Sequence, residues 1–141
     1  MLNILVCVKQ VPDINLVKMD PVTGSLIRAG VPAILNPLDA NALEAYGGPV
    51  TVITMGPDMA KEALRECLAA GADRAVLLSD RAFANADTLA TSYVIASAAK
   101  LLGEFDLIFC GKESLDGATG QMGSQLAERF GASQISSTAK I

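Results

Sequence analysis

Short runs of apolar and β-branched residues alternate along the chain with stretches whose apolar positions recur every three or four residues. The runs predict buried strands and the stretches predict amphipathic helices, and their alternation is typical of a parallel sheet with crossover helices. The predicted strands cover residues 2–8, 50–55, 75–78 and 105–110, with one more at 134–141. The pattern predicts an α/β fold with a doubly wound, mostly parallel sheet of the Rossmann-like type.

Capping residues and apolar faces define four predicted helices. The first is capped by residues 36–39 and runs through Leu43 and Glu44, while residues 19–26 before it have the turn chemistry of a hairpin tip. The second is capped by residues 56–58, stops at Gly71 and presents one apolar face, made of Ala60, Ala63, Leu64, Cys67 and Leu68. The third runs from its cap, Asp87, to Gly103, and its predicted face is Ala90, Val94, Ala98 and Leu101. The last covers residues 119–130 and closes at Gly131.

Size and composition narrow the classes of protein. A length of 141 residues suits a single domain, here residues 1–141, and a hydrophobic content of 51% is enough for a sizeable core. The net charge of −4 argues against a nucleic-acid surface, which normally carries a basic patch. The apolar stretches are shorter than the ~20 residues of a membrane span. We therefore expect no nucleic-acid partner and no membrane span.

Histidine is absent from the chain, which excludes a Ser-His-Asp triad, a Cys-His pair and any metal site with a histidine ligand. The cysteines Cys7, Cys67 and Cys110 are widely spaced and form no CxxC pair. Their pattern predicts no zinc site and favours a reduced compartment, the cytoplasm. We expect no catalytic side chain, so a cofactor must carry any reaction.

Loops at the carboxyl ends of the strands are where an open parallel sheet binds ligands. The richest of them runs from Gly111 to Gly123 and contains four glycines, so its backbone can approach a ligand and its helix start can bind phosphate. The same loop equally fits a plain connection capped by Thr119. It is not a P-loop, because Glu113 follows Gly111 and Lys112, and its GxxGxxG spacing differs from the dinucleotide fingerprint GxGxxG.

Other polar residues near the predicted strand ends have simpler interpretations. Residues 80–88 combine charge with an aromatic ring, but such a loop is more often a solvated connection with an Asp cap. Lys9, after the first strand, either meets a phosphate or is solvated. Asp13, Asp39 and Glu44 resemble turn and cap residues more than catalytic acids.

Five segments, in their order along the chain, resemble electron-transfer flavoprotein beta subunits. They are residues 8–13 (VKQVPD), 36–39 (NPLD), 55–57 (MGP), 69–75 (AAGADRA) and the loop 111–123. The resemblance covers essentially the whole chain. It implies a partner alpha subunit and strand-end loops that hold AMP or a second FAD. We therefore expect the chain to be the N-terminal part of a longer beta subunit.

The resemblance also implies a set of binding residues. The glycine-rich loop would wrap the phosphates, and Cys7 and Met55 would line the adenine and ribose pocket through their backbone. Carried over by position, the cofactor-binding residues are Cys7, Asn36, Pro37, Leu38, Asp39, Met55, Gly111, Lys112, Asp116, Gly117, Ala118, Thr119, Gly120, Gln121 and Met122. Lys9 joins them because of its place at the exit of the first strand.

Residues 79–92 and 116–121 are similar to those of the flavin-bifurcating subgroup. This similarity implies FAD in the beta-subunit site and NADH as the donor of a hydride. One electron would pass to the alpha-subunit flavin and the other to ferredoxin or flavodoxin, with an acyl-CoA-type dehydrogenase as a further redox partner. NADH–flavin oxidoreduction would then occur only in the assembled complex. The NADH loop would include Asp80, Arg81, Phe83, Asp87 and Thr88.

Three departures from the family pattern stand beside this resemblance. Asn85 replaces a usual glycine but tolerates left-handed backbone. Glu113 replaces a usual glutamine and brings a negative charge near the proposed phosphates. Residues 42–48 are about two helical turns shorter than the family pattern.

Two other functions remain open from the sequence. One is a beta subunit whose AMP is purely structural. The other is a nucleotide-binding regulatory domain of the stress-protein type, although the phosphate motif of that group is missing.

Overall fold

The computed structural model of the chain describes residues 1–27, 29–44 and 48–139. Its strands, in chain order, are β1 (Ile4–Cys7), β2 (Gln10–Pro12), β3 (Lys18–Met19), β4 (Leu26–Ile27), β5 (Ala33–Leu35), β6 (Val50–Met55), β7 (Arg74–Leu78) and β8 (Leu107–Cys110). Its helices are α1 (Pro37–Glu44), α2 (Lys61–Ala69), α3 (Thr88–Leu102) and α4 (Met122–Phe130), and short 3-10 turns cover Asp58–Ala60 and Arg81–Phe83.

Four strands form a parallel sheet in the order β7-β6-β1-β8. The chain moves outward from β1 through β6 to β7 and then returns to place β8 on the other side of β1. The point where the strand order reverses therefore lies between β1 and β8. Two antiparallel ribbons, β2 with β5 and β3 with β4, fill the excursion between β1 and α1.

Successive side chains of each strand point to opposite sides of the sheet, so each central strand contributes to a separate core on each face. On one face Ile4, Val6 and Val52 pack with Leu43 of α1 and with Leu64 of α2. On the other face the core consists of Leu5 and Ile53 together with residues of α3 and α4, namely Ile95, Ala96, Ala99 and Leu126. Helices thus cover both faces, and the predicted doubly wound α/β fold is confirmed.

Several local predictions are also confirmed. The hairpin around residues 19–26 forms between β3 and β4. Asp87 caps α3, since its Oδ1 accepts a hydrogen bond of 2.8 Å from the Ala90 amide. Gly131 ends α4 in the left-handed conformation, at φ 62°, which glycine adopts without steric cost. The predicted strand at residues 50–55 is β6.

The start of the last helix was predicted wrongly. The helix α4 begins at Met122 rather than at Thr119, and no side chain caps it. The cause lies in the preceding backbone, because Ala118 (φ 49°) and Gly120 (φ 62°) both have positive φ angles that a right-handed helix excludes.

The predicted face of α3 was wrong at Ala90 and Leu101, although Ala98 of that face packs against the core. The buried residues are Ser92, Ile95, Ala96 and Ala99, whereas Leu101 is 89% exposed and Ala90 is exposed. Almost every position of α3 is apolar or small. Periodicity therefore does not identify the face that packs, and small side chains let α3 approach the sheet and α4 closely.

Smaller corrections concern element ends. Leu2 and Leu68 are both 43% exposed. Leu2 therefore precedes the first strand instead of belonging to it, and Leu68 does not belong to the buried face of α2. Asp58 does not cap a helix with its side chain but pairs with Lys61. Residues 134–139 form no strand, and residues 140–141 lie outside the described residues. The prediction of a short segment at 42–48 falls partly on residues 45–47, which also lie outside them.

Within the described parts of the chain, no helix is long and apolar enough to cross a membrane. The same residues contain no group of three or more Cys, Asp or Glu side chains placed to hold a metal ion.

Candidate functional site

The carboxyl ends of β1, β6 and β8 open at one edge of the sheet, where the strand order reverses. The segments that leave these ends begin at Val8, Gly56 and Gly111. The residues before α1 reach the same edge, because the Asn36 amide donates a hydrogen bond of 2.8 Å to the Lys9 carbonyl. The geometry of the fold therefore gathers most of the predicted binding residues in one crevice.

Asn36 anchors the glycine-rich loop, residues 111–123, to the start of α1. Its side chain is fully buried, its Nδ2 donates to the Glu113 carbonyl at 2.9 Å, and its Oδ1 accepts from the Leu115 amide at 3.2 Å. Asn36 precedes Pro37, the first residue of α1. The side chain of Asn36 is thus committed to holding the loop, a role that the sequence pattern did not identify.

Asp39 ties the ends of β1 and β8 together from the first turn of α1. It is buried, and its Oδ2 accepts a hydrogen bond of 2.9 Å from the Lys9 amide. Burial raises the pKa of Asp39 to about 6, although hydrogen bonds from the Asn36 side chain and from the Lys9 and Gly111 amides oppose this rise. A Cβ atom built on Gly111 would overlap Asp39 Oδ1, so this junction has no room for a side chain.

Lys9 forms an ion pair with Asp116 of the glycine-rich loop. Its Nζ lies 2.8 Å from Asp116 Oδ1 and 2.9 Å from Oδ2. Partial burial acts to raise the pKa of Asp116, but hydrogen bonds from Lys9 and Ser114 and the charge of Lys9 hold it below its usual value. The side chain of Lys9 remains 47% exposed at the rim of the crevice. Lys9 is therefore neither a free solvated lysine nor an unpaired lysine available to a phosphate, because its charge is paired with Asp116.

The rest of the glycine-rich loop presents backbone to solvent. Lys112 and residues 117–121 are exposed, while Ala118 and Gly120 hold left-handed conformations. The first amides of α4 follow directly and receive no side-chain cap. Uncapped amides at a helix start, joined to an exposed loop of small residues, suit an anionic group.

Thr88 connects the predicted NADH loop with the glycine-rich loop. Its hydroxyl donates to Gln121 Oε1 at 3.1 Å and accepts from Gln125 Nε2 at 3.0 Å. The Oε1 atom of Gln125 is buried and has no hydrogen-bond partner among the described residues. The starts of α3 and α4 are thus joined at the mouth of the crevice.

The remainder of that predicted loop is shaped by local contacts. Asp80 Oδ1 accepts a hydrogen bond of 2.8 Å from the Ala82 amide, and Asn85 has a φ of 60°, as its tolerance of left-handed backbone predicted. Within the described residues, Asp80, Arg81 and Phe83 form no hydrogen bond or ion pair with the glycine-rich loop. The structure therefore brings Thr88 to the crevice by a direct contact, but not these three residues.

A cavity of about 290 Å³ lies between the β2–β5 ribbon and the end of β6, and no residue of the glycine-rich loop lines it. It contains the predicted residues Lys9 and Met55. Its other lining residues were missed because no motif marks them; they are Gln10, Val11, Pro12, Val31, Ala33, Thr54, Gly56, Pro57, Met59 and Ala60. Only the pairing of β2 with β5 brings the ribbon residues to this edge.

The sequence is similar to proteins of known family. A family model described as "Electron transfer flavoprotein domain" matches residues 23–141. An electron transfer flavoprotein subunit beta from Clostridium acetobutylicum is 54% identical over 147 aligned positions, which cover 99% of this chain and 56% of that protein. The caffeyl-CoA reductase-Etf complex subunit CarD of Acetobacterium woodii is 57% identical, over 92% of this chain and 52% of CarD.

Protein FixA of Azorhizobium caulinodans is 49% identical, over 99% of this chain and 54% of FixA. The chain thus spans about half the length of the curated relatives it matches. The alignment with the Clostridium protein is also longer than the chain itself, so that relative contains residues without a counterpart here. The matches leave no support for the stress-protein alternative, and the chain belongs to the electron-transfer flavoprotein family, as a beta-subunit sequence.

Proposed function

We propose that this chain forms the nucleotide-binding part of an electron-transfer flavoprotein beta subunit and that its crevice holds FAD. The observation that carries the proposal is the glycine-rich loop. It lies where the strand order reverses, leads into an uncapped helix start, and is held in place by the buried Asn36 side chain. A dinucleotide of this kind needs such a place for its phosphates.

The residues present fit the phosphates of a nucleotide. Exposed backbone at residues 117–121 and the first amides of α4 supply donors, whereas the charge of Lys9 is already paired with Asp116 of the loop. The cavity of about 290 Å³ is at the small end of ligand pockets. Its apolar lining suits the adenosine portion of the ligand, beside Met55 and Lys9.

Two arguments favour FAD over AMP alone. The loop 79–92 is similar to that of the bifurcating subgroup, and the relative CarD is named as a subunit of a caffeyl-CoA reductase-Etf complex. A bound flavin would supply the redox chemistry, while the chain would supply position and electrostatics. No histidine or other catalytic side chain is needed for that division of roles.

The wider proposal concerns partners in the assembled protein. NADH would approach the loop that contains Asp80, Arg81, Phe83, Asp87 and Thr88, and Thr88 already contacts Gln121 of the glycine-rich loop. Electrons would leave through the flavin of an alpha subunit and through ferredoxin or flavodoxin, with an acyl-CoA-type dehydrogenase as a further partner. The proposal places this complex in the cytoplasm, the reduced compartment that unpaired cysteines favour.

The test is the cofactor content of the full-length chain purified together with its alpha subunit. The ultraviolet-visible spectrum and the mass of each released ligand should give two FAD molecules per heterodimer, and NADH should bleach the flavin absorbance. One FAD with one AMP would contradict the bifurcating assignment and leave a structural nucleotide in the crevice. Purified heterodimer without any nucleotide on the beta subunit would contradict both.

A further inference from the structure

Two thiols face each other at the base of the crevice. Cys7 is the last residue of β1, Cys110 is the last residue of β8, and the two are direct partners in the parallel ladder. Both side chains lie on the sheet face covered by α3 and α4, and both are half-buried rather than sealed in the core. Both residues therefore keep some exposed surface at the end of their strands.

The spacing of neighbouring strands suits a bond between these residues. Strands in a sheet lie about 4.7–4.9 Å apart. Disulfides join residues whose Cα atoms are about 4.4–6.8 Å apart. Cys67 is excluded as a partner, because it is fully buried on α2 against the opposite face of the sheet.

The surroundings of Cys7 favour its protonated form. The hydrogen bond with Cys110, followed by burial and by the charges of Cys110 and Asp39, raises the pKa of the Cys7 thiol well above its ordinary value. Cys7 therefore stays protonated until Cys110 has reacted. The negative charge of Cys110, one cause of the raised pKa of Cys7, is absent from the sulfenic acid, so Cys7 is placed to react second.

We propose that Cys7 and Cys110 form an oxidisable dithiol that hydrogen peroxide or an organic hydroperoxide converts to a disulfide. The Cys110 thiolate attacks the terminal peroxide oxygen, the O–O bond breaks, and Cys110 becomes a sulfenic acid. Hydroxide leaves from hydrogen peroxide and is protonated to water, whereas an organic hydroperoxide releases an alkoxide that is protonated to the alcohol. Cys7 sulfur then displaces the sulfenic oxygen, which leaves as water after taking up the Cys7 proton. Two thiols lose two electrons and the peroxide gains them.

Closure of this bond changes the crevice. The Cβ atoms of a disulfide lie about 3.8 Å apart, so the strand ends must approach by about 1 Å. Cys110 directly precedes Gly111, where the chain already contacts Asp39 without room for one added carbon. This contraction should displace the glycine-rich loop and weaken nucleotide binding, a consequence that rests on the proposed function.

The dithiol is tested by mapping disulfides in the full-length protein. After treatment with excess hydrogen peroxide and alkylation of free thiols under denaturing conditions, we expect a loss of 2 Da and one linked peptide pair that joins Cys7 to Cys110. The bond should disappear in C7A and C110A and should persist in the matched control C67A. Recovery of Cys7 and Cys110 as alkylated thiols, or their linkage to Cys67 or to another molecule, would overturn the proposal.

A second measurement needs no variant. The affinity of wild-type protein for AMP is measured before oxidation, after oxidation and after reduction with dithiothreitol, and we expect a loss of at least fivefold that reduction reverses. Bound AMP should in turn slow disulfide formation. A disulfide that forms while AMP affinity stays unchanged would overturn the coupling, and protein that forms the disulfide but never binds nucleotide would instead contradict the proposed function.

Discussion

At the scale of single residues, the crevice is defined by side chains that contact backbone. Asn36 and Asp39 are both buried, and each uses its polar atoms on main-chain groups of distant segments. Such contacts satisfy backbone donors and acceptors that would otherwise be left without partners at the ends of strands. The residues that shape the crevice are therefore largely distinct from the exposed backbone that would contact a ligand.

Gly111 allows a direct test of this arrangement. In G111A the added carbon would overlap Asp39 and the adjoining backbone of Leu38, which lies 2.7 Å away and has little freedom to move. We expect the free energy of unfolding to fall by about 3 kcal/mol, measured by chemical denaturation of the full-length protein.

G123A is the matched control, because its new carbon would lie at an ordinary distance of 3.8 Å from Cys110 Cβ. Alanine also has the higher helix propensity, so this variant should gain up to about 1 kcal/mol. Equal stabilities for the two variants would show that the contact at Gly111 does not constrain the loop.

At the scale of elements, the amino end of α4 has positive electrostatic character because its first amides are uncapped. The Glu113 carboxylate opposes this positive character, because it lies near the loop that leads into α4. A Cβ atom built on Gly120 would lie 3.9 Å from Glu113 Oε2. Asp116 is offset by Lys9, whereas Glu113 forms no ion pair among the described residues. The proposed phosphate position is therefore less positive than the helix alone would make it.

Removal of this charge should strengthen nucleotide binding. We expect E113Q to raise the affinity for AMP by about fivefold, equivalent to about 1 kcal/mol for one partly screened charge. Titration calorimetry on nucleotide-free full-length protein measures the change. E128Q serves as control, because Glu128 lies about 9 Å along α4 from the start of that helix. A lower affinity in E113Q, or an equal gain in E128Q, would contradict this account.

The elements also show what sequence patterns determine. Strands β6 and β8 and the capped start of α3 follow from local apolar runs and from Asp87, so they were predicted within about two residues. The start of α4 was predicted wrongly, because nothing in the local sequence indicates the left-handed conformation of Ala118. Alanine is usually a strong helix former. The buried face of α3 depends on packing against α4, which no local pattern encodes.

At the scale of the whole molecule, the sequence predicted which segments meet at one edge of the sheet but not how their side chains contact one another. The order of strands and loops predicted which loops share one edge of the sheet, and the family resemblance predicted that their segments bind a nucleotide, which remains a prediction. The ion pair of Lys9 with Asp116 and the contact of Asn36 with Glu113 join residues separated by 107 and 77 positions. Contacts of that range depend on the assembled sheet, so the sequence alone predicted separate roles for these residues.

Asp39 links this site to the stability of the entire fold. Its pKa of about 6 lies above the ordinary value of 3.8, so between these values the folded chain binds more protons than the unfolded chain. The contribution of Asp39 to stability is therefore fully present below pH 3.8 and is lost as the pH rises through 6. We expect this loss to be on the order of 2–3 kcal/mol.

Denaturation of full-length protein between pH 4 and pH 7.5 measures this dependence. The D39N variant should show a shallower fall in the free energy of unfolding over this range. D20N should keep the fall, because backbone amides of Val22 and Thr23 hold the pKa of Asp20 below its ordinary value and give it the opposite dependence. A D39N profile parallel to that of wild type would assign the dependence to other groups.

The long reach of the Asn36 contacts has a consequence for how the protein acquires its shape. During synthesis, Asn36 leaves the ribosome 77 residues before the carbonyl of Glu113 that it holds. Contacts between such distant positions form slowly, since a long loop must close before they contribute. The nascent chain must therefore carry the buried amide of Asn36 without this partner until β8 has joined β1. Competence to bind a nucleotide should arise as one of the last events of folding.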